Sequence, residues 1–300
     1  MSEAPTQPLV SVVIASYEAH ETVERCLEAL SRQSFADFEA IIVDSSPDTP
    51  TAEIVRRRFP DVVLDAVAER LGPHAARNRG AARASGRILV FTDPDCFARP
   101  DWLGRLVAAH AAGLAIVGGA VAAAEAGWFD RGVHWCKFGP WVPGGAPGPR
   151  PVLPTANVAW SRSAWEAVGP FRLEGWSGDA DLCFRARAAG YELHFEPAAV
   201  VAHRHLTRPG AFWHERVERG WAFARLRLRT EHWSRGRAAL HAVLSPLVPL
   251  LLLVRSLRRA SVTGHARDGV LTVPVQLFGF TAWGLGEARA QFSAALGASG

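Results

Sequence analysis

Lysine is almost missing from this 300-residue chain: Lys137 is the only one, and every other basic side chain counted in the charge balance is arginine. The formal charge of +4 and a pI near 9.2 would otherwise suggest a polyanionic partner. With Ala and Gly abundant, the lysine deficit reads instead as a GC-rich coding bias. The arginines are scattered through Ala-rich helical segments and are not gathered with aromatics into one stripe, which excludes nucleic acid as a partner. Cysteine is scarce too. Cys26, Cys96, Cys136 and Cys183 form no C-x-x-C pair and have no histidine at zinc-ligand spacing. That argues against a zinc module or a disulfide framework and for a reduced cytosolic chain. The polar stretch from Met1 to Pro8 lacks the apolar core of a signal peptide, and residues 1–8 are expected to be disordered. The 49% hydrophobic content is enough to build one or two cored domains.

The most informative segment is Ile88-Leu89-Val90-Phe91-Thr92-Asp93-Pro94-Asp95-Cys96. A continuous apolar run ends in two carboxylates spaced i, i+2. On an extended segment such side chains point the same way, so Asp93 and Asp95 bring two hard oxygen ligands to one point. Pro94 restricts the backbone between them. The pair suits Mg²⁺ or Mn²⁺ held against a diphosphate, since such sites use one or two carboxylates plus phosphate oxygens. A bare D-x-D is also common in solvated turns. Its place after a buried strand is what favours the metal.

Upstream, Leu9 to Ala15 and Glu39 to Val43 read as strands, the second closing on Asp44. Segments 21–32, 51–59 and 74–85 carry helical spacing, and Asp61 to Ala66 is a short strand. Alternating strands and helices imply βαβ units and a mostly parallel α/β sheet, flanked by helices. Ligands in such sheets sit beyond the carboxyl ends of the strands, where Asp44, Asp93 and Asp95 all fall. Further strands are expected over 115–124 and 155–160. The Gly-, Pro- and Trp-rich stretch from Gly127 to Pro154 reads as a long loop that covers a site, with Trp128, Trp135 and Trp141 closing over substrate. Ser163 to Val168 begins a helix. Another opens with Asp179 and Asp181 in its first turn, where the macrodipole favours negative charge.

The last third changes character. Arg216 to Arg237 mixes Trp, Phe, Leu and many arginines, as an interfacial amphipathic helix does. Ala238 to Val254 and Gly269 to Gly286 are nearly uncharged, and each approaches the roughly 20 residues that span a bilayer. Two spanning segments would leave the arginines of 255–259 outside, against the positive-inside tendency. A hairpin in the cytosolic leaflet fits better, with arginines meeting anionic headgroups. Soluble packing or burial in a dimer interface remains open, as does the oligomeric state.

Five motifs in order, from Val10 to about His205, resemble the family 2 glycosyltransferases: VSVVIASYE, IIVDSS, AARNRGAARASGRILVFTDPDC, TANVAWSRSAWEAVGPF and GDADLCFRARAAGYELHFEPAAVVAHRH. The resemblance implies an inverting enzyme of the GT-A fold that uses a nucleotide-sugar donor. By that likeness Asp44 recognises the nucleobase, Ala15, Ser16 and Tyr17 line its pocket, and Arg77 contacts the nucleotide. Asp93 and Asp95 become the metal and diphosphate site with Mn²⁺ or Mg²⁺, His203 a third ligand, and Asp179 the catalytic base. Two departures stand out. Gly178 replaces the usual acidic residue before the base, which leaves Asp179 and Asp181 both open for that role. Asp44-Ser45 replaces a frequent Asp-Asp pair.

Each residue also has an ordinary alternative. Asp179 could cap its helix, Asp44 could cap a turn, and Arg77 could be an exposed helical charge. Asp181 reads as a supporting or acceptor-contacting group. Trp176 stacks on acceptor or serves as core or lid packing equally well. The domain expectation is 9–210 for a GT-A catalytic domain and 211–300 for a helical, membrane-associated region. The function expected is metal-dependent sugar transfer to a glycan or lipid-linked acceptor in bacterial cell-surface synthesis, on the cytoplasmic side of the membrane. The alternatives are a non-catalytic membrane scaffold and a sugar nucleotidyltransferase. The latter needs a glycine-rich basic loop after the first strand, which Ala15-Ser16-Tyr17-Glu18-Ala19 does not supply.

Overall fold

The first four expected strands form a parallel sheet in the computed structural model, which describes residues 7–46, 50–125, 127–172, 176–205 and 207–297. The expected disordered stretch 1–8 lies, through residue 6, outside these described residues. Among the described residues, nine strands form one sheet: β1 (Val10–Ser16), β2 (Phe38–Asp44), β3 (Val63–Ala66), β4 (Ile88–Thr92), β5 (Cys96–Ala98), β6 (Ile116–Ala123), β7 (Gly148–Pro149), β8 (Asn157–Ser161) and β9 (Leu193–His203). Their order is β3-β2-β1-β4-β8-β6-β9-β5, with β7 pairing to β9. Strands β3, β2, β1 and β4 are parallel, and β8 then pairs antiparallel to β4. Strands β1 and β4 are buried almost throughout, as β-branched runs between two helical layers must be.

The helices are α1 (Val23–Ser31), α2 (Pro50–Arg58), α3 (Pro73–Arg83), α4 (Trp102–Ala111), α5 (Trp128–Phe138), α6 (Arg162–Val168), α7 (Gly178–Ala188), α8 (Pro209–Thr230), α9 (Arg235–Leu244), α10 (Val248–Val262), α11 (Ala266–Leu271) and α12 (Val273–Ala295). The chain divides into two compact units. The first comprises 1–122, 146–173 and 182–204, and the second 123–145, 174–181 and 205–300.

Within the first unit, one side chain ties the antiparallel half together. Asn157 of β8 is fully buried; its amide donates to the carbonyls of Ala120 and Ala199 at 2.8 and 2.9 Å, and its Oδ1 accepts from the Trp102 indole at 2.8 Å. A polar group buried this deeply is tolerable only when satisfied in this way. Gly80 of α3 faces Val13 of β1 so closely that a Cβ would overlap it, which sets helix and sheet in near contact.

The second unit is helical, and it corrects one expectation. The stretch 127–154 is not one long loop. Residues 128–138 form α5, whose Val133 and Cys136 join Phe212, Val275 and Phe280 in a buried core. Gly and Trp density hid that spacing: Gly132 is there because Val275 occupies the space a Cβ would need. Of the named tryptophans, Trp135 is buried and donates to Asp268, while Trp128 donates to the Leu271 carbonyl. The apolar segment 269–286 is shared between the end of α11 and α12. Helix α12 buries Gln276, Glu287 and Gln291. Gly220 of α8 and Gly286 of α12 each abut the other helix's backbone, so these two long helices approach closely. Among the described residues, only 235–262 is long and apolar enough to cross a membrane.

Candidate active site

The two acids after Thr92 meet through a turn, not through the pleat of an extended strand. Asp93-Pro94-Asp95-Cys96 is closed by the Cys96 amide donating to the Asp93 carbonyl at 3.0 Å. Proline at the second position is well suited to such a turn. The reversal launches β5, and β5 pairs antiparallel with the end of β9, setting Cys96 opposite His203. The Arg204 amide, next along, donates to the Asp95 carbonyl at 2.9 Å. Residues more than 100 apart in sequence thereby share one corner. Ligand atoms of Asp93, Asp95, Cys96 and His203 all lie within 4.8 Å of one another. His203 Nε2 is 3.5 Å from Asp95 Oδ2.

The chemistry of this donor set fits a hard or borderline divalent cation. Two half-buried carboxylates supply anionic oxygen, and imidazole is a good partner for Mn²⁺. Burial, then the fields of Asp95 and Asp93, push the Cys96 thiol well up, and the same causes raise that of Cys26. Both sulfurs are therefore held protonated, and the charged donors are the carboxylates.

Arg77 enters from α3. Its guanidinium donates to Asp93 Oδ1 at 2.6 Å, and the side chain is almost wholly buried. It is therefore not the exposed helical charge its alternative supposed. Asp44 ends β2 directly opposite Ser16 of β1. It is 3% exposed and accepts from the Ser46 hydroxyl at 2.7 Å, and that hydroxyl accepts the Glu18 amide at 2.8 Å. Glu18 has φ +50°, a left-handed conformation that a non-glycine residue adopts only when its surroundings hold it there. Tyr17 lies under the Arg70 guanidinium, 4.2 Å from the ring centroid. Among the described residues, the buried Ser16 and Ser45 hydroxyls have no hydrogen-bond partner.

Asp179, Asp181 and Trp176 belong to the second unit. Asp179 is half-buried and its Oδ1 accepts its neighbour's amide from Ala180 at 2.8 Å. Asp181 is only 7% exposed, and its amide donates to Ser177. Trp176 is 48% exposed, with the Arg219 guanidinium 5.0 Å from its ring centroid. It is not a core tryptophan. Sequence reasoning missed Cys96 as a member of the acidic cluster and Arg219 as the partner of Trp176. The first could have been found from the pairing of β5 with β9, had β5 been recognised.

The profile of the Glycosyl transferase family 2 matches residues 11–163, just over half of the chain. The chain belongs to that family. This family 2 glycosyltransferase is 31% identical over 205 residues to Glycosyltransferase AglE of Haloferax volcanii, covering 66% of the chain and 67% of that protein. It is 36% identical over 111 residues to the succinoglycan biosynthesis protein ExoO of Rhizobium meliloti, covering 36% of the chain but 32% of ExoO. Among solved structures it resembles the mannosyltransferase PcManGT of Pyrobaculum calidifontis, in complex with GDP-Man and Mn²⁺. The TM-score there is 0.57 at 20% identity, over 99% of this chain and 77% of that one. GalNAc-T7 with UDP, GalNAc and Mn²⁺ gives 0.53 at 18% identity, over 67% and 45%. At these identities the likeness is one of fold, the GT-A arrangement of a central sheet between helices. Family membership sets aside the nucleotidyltransferase and scaffold alternatives.

Proposed function

We propose that this glycosyltransferase is inverting and divalent-metal-dependent, moving a sugar from a nucleotide donor to a glycan or lipid-linked acceptor in cell-surface polysaccharide or glycolipid synthesis. The reaction takes place on the cytoplasmic side of the membrane. The convergence of Asp93, Asp95 and His203 at one corner, with Arg77 bound to Asp93, carries the reading. Residues 9–210 would then supply donor binding and catalysis, and 211–300 a helical membrane-side region.

Asp93, Asp95 and His203 would hold Mn²⁺ or Mg²⁺, and a cation bound there would supply positive charge against the departing diphosphate. Arg77 fixes the Asp93 carboxylate from behind and adds positive charge beside the nucleotide. Asp44, with Ala15, Ser16 and Tyr17, receives the nucleoside at the carboxyl ends of β1 and β2. The unpaired Ser16 and Ser45 hydroxyls support a polar ligand there, because a buried hydroxyl left unmatched costs about 1–3 kcal/mol.

Asp179 accepts the acceptor hydroxyl's proton as that oxygen bonds to the anomeric carbon. The bond from that carbon to the diphosphate oxygen breaks on the opposite face, and the nucleoside diphosphate leaves. No covalent enzyme intermediate is needed. Such proton transfer contributes roughly 10²–10⁴-fold. The greater exposure of Asp179 supports it over the buried Asp181. Trp176 offers its half-exposed ring to the acceptor.

The test is a donor-turnover screen over UDP-, GDP- and dTDP-sugars with Mn²⁺ or Mg²⁺. Asp95→Asn is expected to abolish turnover. Asp179→Asn is expected to keep nucleotide affinity while losing transfer, and unchanged transfer by that variant overturns the base assignment.

A further inference from the structure

Residues 235–262 run as one 28-residue helix, through a short tight turn of helix at Ser245–Leu247 that joins α9 to α10. Its two long sides differ in kind. Ala238, Ser256 and Ala260 are buried, and Pro249 sits over Gly284 of α12. The other side carries Leu240, Val243, Leu247, Leu250, Leu251 and Val254, all exposed, Val243 by 76%. Their spacing of three and four residues makes a single stripe along the helix. Only 11% of the most apolar 18-residue window is buried. An apolar stripe this long on a water-facing surface marks an interaction site.

The charges around the stripe name the partner. The helix contains no Asp or Glu and no charge from Ala238 to Val254. Arg235 flanks one end; Arg255 and Arg258 flank the other, all three exposed. We propose that this face lies flat in the headgroup region of an anionic lipid bilayer, stripe inward and arginines on lipid phosphates. This extends the membrane-side placement given above but is tested without donor or acceptor, so either reading can fail alone.

Two other arrangements fit the same surface poorly. If the helix crossed the bilayer, its packed side would draw α12 in with it, and α12 buries Gln276, Glu287 and Gln291. Pairing with a second copy through this stripe sets arginine against arginine at the helix ends, with no acid on the helix to match them.

Flotation of the full-length protein with vesicles tests the proposal. Binding is expected to vesicles of phosphatidylcholine with 30% phosphatidylglycerol, and to fall about tenfold or more for R255Q/R258Q or in high salt. L247E/L251E, at exposed positions, is expected to lose binding with its circular dichroism unchanged. The four native cysteines are buried, so V243C and V254C can each carry one environment-sensitive fluorophore. In a flat helix both labels are quenched alike by shallow spin-labelled lipid. In a crossing helix they differ in depth by about 16 Å. Absence of binding to the anionic vesicles, unequal label depths, or lipid-free dimerisation that shields both labels would each overturn the proposal.

Discussion

Arg77 and Asp93, on α3 and just past β4, are joined by a 2.6 Å hydrogen bond between guanidinium and carboxylate. Both side chains are largely shielded, at 8% and 23% exposure, so the pair is not a weak surface bridge. Removing one member of such a pair strands the other's charge. Arg77→Ala is expected to lower stability by about 1–3 kcal/mol, and to cut donor kcat/KM at least tenfold. Arg77→Lys should recover much of the stability without the donor affinity, because an ammonium cannot reproduce the guanidinium fork. Denaturant unfolding read beside donor kinetics checks both.

Asn157 offers a purely structural counterpart in the same unit. Asn157→Ala removes a satisfied amide and leaves the Trp102 indole and the Ala120 and Ala199 carbonyls unmatched. The expected loss is about 2–4 kcal/mol, measurable as a lowered urea midpoint. A loss under 0.5 kcal/mol would contradict the role given to this side chain.

Much of the parallel half of the sheet was readable from residue order. The β-branched run at 10–14 and the apolar run at 88–92 had to be buried strands, and Asp44 and Asp93 had to fall at the carboxyl ends of theirs. The turn at 93–96 was not readable as a turn, because D-x-D on a strand and D-x-D in a reversal have the same spacing. Helix α5 was hidden by glycine and tryptophan. Gly132 looks like a loop residue until Val275, 143 positions away, is seen in the space its side chain would fill. The short β5 and β7 carry no periodicity of their own and exist through pairing with β9. The uncharged run of 269–286 hides Gln276, and only the fold shows that this side chain is buried while Phe278 and Leu285 on the same helix stay exposed.

Glu215 of α8 gives the second unit a definite acid response. Burial would raise its carboxyl, but Lys137 first, then Arg219 and Arg216, pull it down to about 2. Lys137, the chain's only lysine, bonds it at 2.9 Å, and Arg219 at 2.8 Å. Because the folded carboxyl ionises below its ordinary value of 4.5, its contribution is complete above that pH and is lost as pH falls towards 2. About 3 kcal/mol is at stake over that window. Glu287 shifts the opposite way, raised by burial, so comparison with Glu215→Gln isolates the effect. Wild type should lose more stability than Glu215→Gln between pH 5 and 3 (roughly the upper half of the window). Equal losses would contradict the assignment.

Two glycines to alanine separate close packing from open helix. A Cβ at Gly119 would overlap the Ala199 carbonyl and the Asn157 amide, so Gly119→Ala should destabilise by about 1–3 kcal/mol. Gly104, inside α4, has nothing within 4 Å of a Cβ. Gly104→Ala should stabilise by about 0.5–1 kcal/mol through helix propensity. Thermal melts of the two variants read both signs.

The most direct measurement of the central claim is calorimetric binding of UDP and GDP to the full chain, with and without Mn²⁺, in wild type and Asp95→Asn. The account predicts that one nucleoside diphosphate binds at least tenfold more tightly when Mn²⁺ is present, and that Asp95→Asn removes this gain while the circular dichroism stays unchanged. Nucleotide binding of equal strength with and without the cation, or a gain that survives Asp95→Asn, would contradict it.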